Sequence, residues 1–169
     1  LKNQNFTTAT DSFNVAVGHQ AGLSISTGIR NTLIGAGAGD ALTDADLNVA
    51  VGRDALTSDT LGSQSVAIGT NALVNQNFTT ATNSLNTAVG HSAGSAVTTG
   101  IQNTLIGGQA GDALTDADFN VAVGTAALGV DTLGSRTTAL GYGALAVQNF
   151  TTATNSHNVG VGYFAGAAV

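Results

Sequence analysis

Polar and apolar positions alternate along this chain in short bursts, each closed by a glycine. Asn14-Val15-Ala16-Val17-Gly18 and Ser65-Val66-Ala67-Ile68-Gly69 place β-branched residues two apart with an alanine between them. Successive strand side chains point to opposite faces, so Val15 and Val17 share one face and Ala16 takes the other. Helix is the rival assignment, but glycine at this density costs about 1 kcal/mol per residue in a helix interior. The pattern therefore predicts short strands and no helix.

The bursts recur at fixed intervals. Their glycines are Gly18, Gly35, Gly52, Gly69, Gly90, Gly107, Gly124, Gly141 and Gly162, spaced 17, 17, 17, 21 and then 17, 17, 17, 21. A block of four cassettes and 72 residues thus repeats about 2.3 times, making residues 1–169 one continuous repeat region. Four residues before the glycine stand Asn14, Asn31, Asn48, Asn86, Asn103, Asn120 and Asn158, with Ser65 and Thr137 replacing asparagine once per block. Three residues after it stands an alanine in every cassette: Ala21, Ala38, Ala55, Ala72, Ala93, Ala110, Ala127, Ala144 and Ala165. Self-similarity at a short fixed period is the signature of a solenoid.

The predicted fold is all-β: a parallel β-solenoid, or β-roll, of 17/17/17/21-residue coils. A 17-residue coil has room for about two short strands and their turns at ~3.3 Å per strand residue, and nine coils stacked at about 4.8 Å extend roughly 40 Å. Each cassette glycine supplies a sharp bend, and the alanine three residues on fills a corner too tight for a larger side chain. The asparagines either form a side-chain ladder from rung to rung or tolerate a turn before the strand. Aspartates give a second check on the register. Seventeen residues beyond Asp40, Asp44 and Asp46 lie Thr57, Leu61 and Ser63, so like charges are not stacked on one another.

The extra residues of the 21-residue intervals fall in QNFTTAT at 76–82 and 148–154, which also occurs at 4–10. They predict a loop or widened coil on one side of the rod. Asn5, Asn77 and Asn149 each open an Asn-Phe-Thr triplet, formally a glycosylation sequon. The preferred role for Phe6, Phe78 and Phe150 is to plug an interface between chains. Leu1 shares its phase with Leu73 and Leu145, and Val169 with Val97, so the chain starts and stops inside its repeat, as a segment of a longer fibre would.

Composition narrows the function. Cysteine, methionine, tryptophan and proline are absent, four residues are basic and the net charge is −6. That charge disfavours nucleic acid and anionic membrane, which need clustered Lys or Arg. No apolar run reaches the roughly 20 residues of a spanning helix, so no membrane insertion is expected in this segment. Yet 43% of residues are hydrophobic and mean hydropathy is +0.22, more than a thin rod needs for its interior. The surplus predicts a lateral face packed on copies of the same chain, with threefold symmetry a natural closed choice.

Candidate chemistry is sparse. His19 and His91 follow the bend, Tyr163 replaces them in the third block, and His157 stands elsewhere, with no metal-ligand spacing. DALTDAD at 40–46 and 112–118 offers three carboxylates and two readings, a calcium loop or a solvated acidic loop, without the EF-hand spacing. GAGAG at 35–39 leads into neither a helix nor a lysine, as a phosphate loop would. A site repeated in every block is unlike the single unique constellation of an active site. The expectation is no enzyme, no cofactor, no metal and no catalytic residue.

SVAIG at 65–69 and NVAVG at 14–18, 48–52 and 120–124, with the alanine corner that follows, resemble the head repeats of trimeric autotransporter adhesins. They are similar also to repeats in shafts of phage tail fibres and other virion fibres. The resemblance implies a left-handed β-roll, three chains side by side and surface attachment, although the 17/17/17/21 spacing is longer than the adhesin head repeat. The expected function is a structural or adhesive fibre segment of an extracellular filament, surface adhesin or phage tail fibre, with a host-surface or glycan receptor as the possible partner. Its location would be extracellular, on a cell surface or on a virion. The alternative is a solenoid that binds ice or a polysaccharide surface through threonine arrays, for which TTAT is the hint.

Overall fold

A computed structural model of the protein describes residues 1–167; the phase of Val169 lies outside the described residues. Its strands are β1 (Val15–Val17), β2 (Thr32–Ile34), β3 (Val49–Val51), β4 (Gly62–Ser63), β5 (Val66–Ile68), β6 (Thr82–Asn83) and β7 (Thr87–Val89). They continue as β8 (Thr104–Ile106), β9 (Val121–Val123), β10 (Gly134–Ser135), β11 (Thr138–Leu140), β12 (Thr154–Asn155) and β13 (Val159–Val161). No helix occurs among the described residues.

Nine of these strands form one parallel sheet in the order β1-β2-β3-β5-β7-β8-β9-β11-β13. Val15 pairs with Thr32, Thr32 with Val49 and Val49 with Val66, each one coil on. Across the long intervals Val66 pairs with Thr87 and Thr138 with Val159, so the sheet absorbs the added residues without losing register. The fold is therefore a parallel β-solenoid of nine coils, here numbered 1 to 9 by their cassette glycines. Each coil carries one three-residue strand. Among the described residues a second, two-residue strand forms only beside the long coils, as β4 with β6 and β10 with β12. The rest of each coil is bends.

Those bends explain why the second short strand is missing from coils 1, 2, 5 and 6 and only two residues long in coils 3, 4, 7 and 8. The residue five before each cassette glycine is left-handed in every coil, as at Phe13 (φ 50°), Arg30 (59°), Leu47 (61°) and Gln64 (63°). Among the described residues none of the non-glycine left-handed positions is Val, Ile or Thr, the types for which this conformation is most strained. The backbone N–H of Leu47 donates to Ile29 O at 3.0 Å and that of Gln64 to Asp46 O at 3.0 Å, so each turn is tied to the coil below. At the cassette the constraint is absolute. Gly107 has φ +136°, and a Cβ there would sit 2.5 Å from Gly124 O of the next coil; only glycine allows that approach.

The core is a thin column. The middle strand residues Leu33, Ala50, Ala67, Ala88, Leu105, Ala122 and Ala139 point inward, and the corner alanines from Ala21 to Ala144 are buried beside them. Ala165, in the last described coil, is only half-buried. In coils 1 to 8 one large aliphatic side chain completes the filling. In coils 1, 2, 5 and 6 it lies seven residues after the glycine (Ile25, Leu42, Val97, Leu114); in coils 3, 4, 7 and 8 it lies four after (Leu56, Leu73, Leu128, Leu145). Coils of the first kind have glycine at the fourth position, where a Cβ on Gly22 or Gly39 would lie 2.8 Å from the Leu33 side chain.

Candidate functional site: an exposed apolar sheet face

Because the middle residue of each strand points into the coil, its two neighbours point out. The outward columns run Val15, Thr32, Val49, Val66, Thr87, Thr104, Val121, Thr138, Val159 and Val17, Ile34, Val51, Ile68, Val89, Ile106, Val123, Leu140, Val161. None carries a charge. The second column is aliphatic throughout; Val51, Val89 and Val123 in it are half-buried, and its other members are exposed, from 38% at Ile68 to 62% at Val161. Beside it the left-handed turn residues add exposed Phe13, Leu47, Leu85 and Phe119, with Arg136 stacked 4.8 Å over the Phe119 ring. At the spacing of paired strands the nine rungs form an apolar stripe roughly 40 Å long.

Behind the sheet runs a buried polar column. Asn14 Oδ1 accepts from Asn31 N at 2.8 Å, Asn31 Oδ1 from Asn48 N at 2.9 Å and Asn48 Oδ1 from Ser65 N at 2.8 Å. Each amide Nδ2 also donates to a carbonyl fourteen residues on, as Asn31 does to Ala45 O and Asn48 to Gly62 O. The second block repeats this through Asn86, Asn103, Asn120 and Thr137, and Asn158 joins through Gln148 Oε1 at 2.7 Å. Where Ser65 interrupts the asparagines, Gln76 supplies the amide, donating to Ser65 Oγ at 2.8 Å and accepting from Asn86 Nδ2 at 2.9 Å.

Gln76 has a partner that the repeat pattern alone did not single out. Asp59 is fully buried and accepts from Gln76 Nε2 at 2.6 Å, Gly62 N at 2.9 Å and Phe78 N at 3.0 Å. Asp131 repeats this with Gln148, Gly134 and Phe150. The added residues bulge outward: Leu61 N donates to Phe78 O and Leu61 O accepts from Thr82 N, leaving Thr79, Thr80 and Ala81 outside the ladder and exposed. The Phe78 ring is 6% exposed. Burial within the chain satisfies this ring, so Phe78 does not plug an interface between chains, whereas Phe6 and Phe150 are half-buried.

The remaining candidates are dispersed. His19, His91 and His157 are exposed on separate coils. In the first DALTDAD each carboxylate has its own neighbour, Thr57 for Asp40, Thr27 for Asp44 and Ile29 N for Asp46. Among the described residues no cluster of three His, Cys, Asp or Glu side chains is placed to hold a metal ion, and no helix is long and apolar enough to cross a membrane. Asn77 and Asn149 are exposed at the foot of the bulge. A hydroxyl column does exist, through Ser26, Thr43 and Thr60 and again through Thr98, Thr115 and Thr132, but each hydroxyl donates to a carbonyl of the next coil. No protein-family model, curated protein or solved structure matches the chain.

Proposed function

We propose that the protein is a segment of a structural or adhesive fibre, three chains packed side by side through the outward face of the nine-stranded sheet. The observation that carries this reading is the uncharged, continuous aliphatic column from Val17 to Val161. Contiguous apolar surface of this extent marks an interaction site on a soluble protein, and a face that repeats along the rod suits an equally repetitive partner, which another copy supplies. A closed threefold arrangement buries one such face per chain. The resemblance of the NVAVG and SVAIG cassettes to adhesin heads and fibre shafts supports an extracellular, cell-surface or virion setting.

The test is mass in solution and cross-section by cryo-EM. The expected particle has three times the 16.5 kDa mass of the chain, three lobes and an axial repeat of about 4.8 Å. The double variant Ile68→Lys/Val89→Lys places charge on adjacent rungs of the face and is expected to give monomers that keep the β circular-dichroism spectrum. A wild-type chain that sediments as a monomer at tens of micromolar overturns the trimer. The largely half-buried hydroxyl column favours a second reading, a solenoid for ice or a polysaccharide surface. Its donors are spent between coils, so it ranks below the fibre, and a monomer that adsorbs to either surface would put it first.

A further inference from the structure

The two complete blocks differ at one corner in a way that opens a cleft. In the first block Asp40 accepts a hydrogen bond from the Thr57 hydroxyl. In the second block the equivalent residues are Asp112 and Gly129, and Val74, on the next coil, is replaced by Ala146. The lost threonine and valine atoms leave a solvent-open cavity of about 280 Å³, lined by Gln109, Asp112, Ala126, Gly129, Val130 and Ala146. A Cβ on Gly129 would come within 3.4 Å of Asp112 Oδ1, so the glycine uncovers the carboxylate that threonine covers in the twin site. Asp54, the acidic neighbour in the first block, is Ala126 here.

We propose that this cleft binds a primary ammonium ion carried on a short alkyl chain. The floor is an ionisable carboxylate with no side-chain partner among the described residues, and it only accepts hydrogen bonds when ionised, so it selects a donor with positive charge. The walls are methyl groups of Ala126, Val130 and Ala146, which suit alkyl carbon. Gln109 at the rim adds one neutral polar group. A liquid water occupies about 30 Å³, so the cavity accommodates a ligand of several heavy atoms. Partial burial raises the Asp112 carboxyl above its ordinary value, opposed by its own backbone N–H, and a bound cation relieves that desolvation. The net charge of −6 adds long-range attraction for cations.

The experiment is a methyl-NMR titration of the whole chain with n-butylammonium, against n-butanol as the neutral twin and sodium as the bare cation. Expected is a saturable shift of the Ala126, Val130 and Ala146 methyls with butylammonium, at least tenfold weaker with butanol and with sodium. Asp112→Asn and, separately, Gly129→Thr abolish it, and Ala146→Val is a milder closure should Gly129→Thr not fold. Absence of a saturable shift overturns the proposal. So does an equal response in Asp112→Asn, or an equal response at the Asp40–Thr57 corner, which would mean that any acidic corner attracts the amine.

Discussion

Coils 1–2 and coils 3–4 have the same backbone course and opposite interiors. In the first pair the position seven after the cassette glycine holds Ile25 and Leu42, and the position four after holds Gly22 and Gly39. In the second pair the aliphatic group has moved to Leu56 and Leu73, and its former place holds the buried Asp59 and Gln76. Coils 5–6 and 7–8 repeat the exchange. The reason lies in the bulge. Stepping over Thr79, Thr80 and Ala81 leaves the N–H groups of Gly62 and Phe78 inside the protein, and one oxygen of Asp59 satisfies both. Buried backbone donors without acceptors cost about 1–3 kcal/mol each, which outweighs what a leucine at the same site contributes.

The largest expected effect comes from removing that acceptor. Asp131→Ala is expected to cost about 3–5 kcal/mol in denaturant unfolding, because three donors lose their partner at once. Asp131→Leu, which copies the apolar pair, fares no better, since Gly134 and Phe150 keep their unpaired N–H groups. Should Asp131→Leu prove as stable as wild type, the two interiors are interchangeable and the bulge does not require the carboxylate.

A smaller difference separates two leucines of equal burial. Leu105 lies in a strand, whereas Leu128 sits at φ 54°. Leu128→Ile is expected to cost at least about 1 kcal/mol more than Leu105→Ile, because a β-branched side chain clashes in the left-handed region while the strand favours it. Equal midpoints for the two variants would mean that coil packing, not backbone conformation, keeps β-branched residues out of these turns.

The smallest effect is electrostatic and lies at the open corner. Burial raises the Asp112 carboxyl, so its ionised form is penalised in the folded state. That penalty is present above the raised folded value and disappears as pH falls through it. Asp112→Asn is therefore expected to stabilise slightly at pH 7, by no more than about 0.5 kcal/mol given solvent screening. Thermal melts from pH 7 down to pH 3 should show the gain vanishing. A gain that grows toward low pH reverses the sign and removes burial as the cause.

Much of the fold was legible because periodicity reports stacking directly. A residue and its counterpart 17 or 21 positions on occupy the same place on successive rungs, which set coil number, parallel register and the Gly-on-Gly column before any coordinates. Spacing also placed asparagine over asparagine, though the alternative of a simple turn residue stood until the Asn31 to Asn14 and Asn48 to Asn31 contacts appeared. The second short strand with room in each coil is only two residues long in coils 3, 4, 7 and 8 and absent from coils 1, 2, 5 and 6; left-handed residues such as Leu47 and Gln64 carry no signature that separates them from strand residues.

What the sequence by itself determined is which residues stack on which. Only the tertiary structure decided which side of each stack meets water: Ala16 and Val17 are both apolar, and the curl of the coil, not hydropathy, turns the alanine inward and leaves the valine out. The same holds for Asp59, which reads as one more surface aspartate until the bulge brings two backbone N–H groups and an amide to it. It holds also for Asp112, whose open corner exists because Thr57 and Val74, seventeen residues apart in sequence, are both replaced by smaller residues in the second block. Period is a property of the chain alone, whereas inside and outside are set by the closure of each coil around its neighbours.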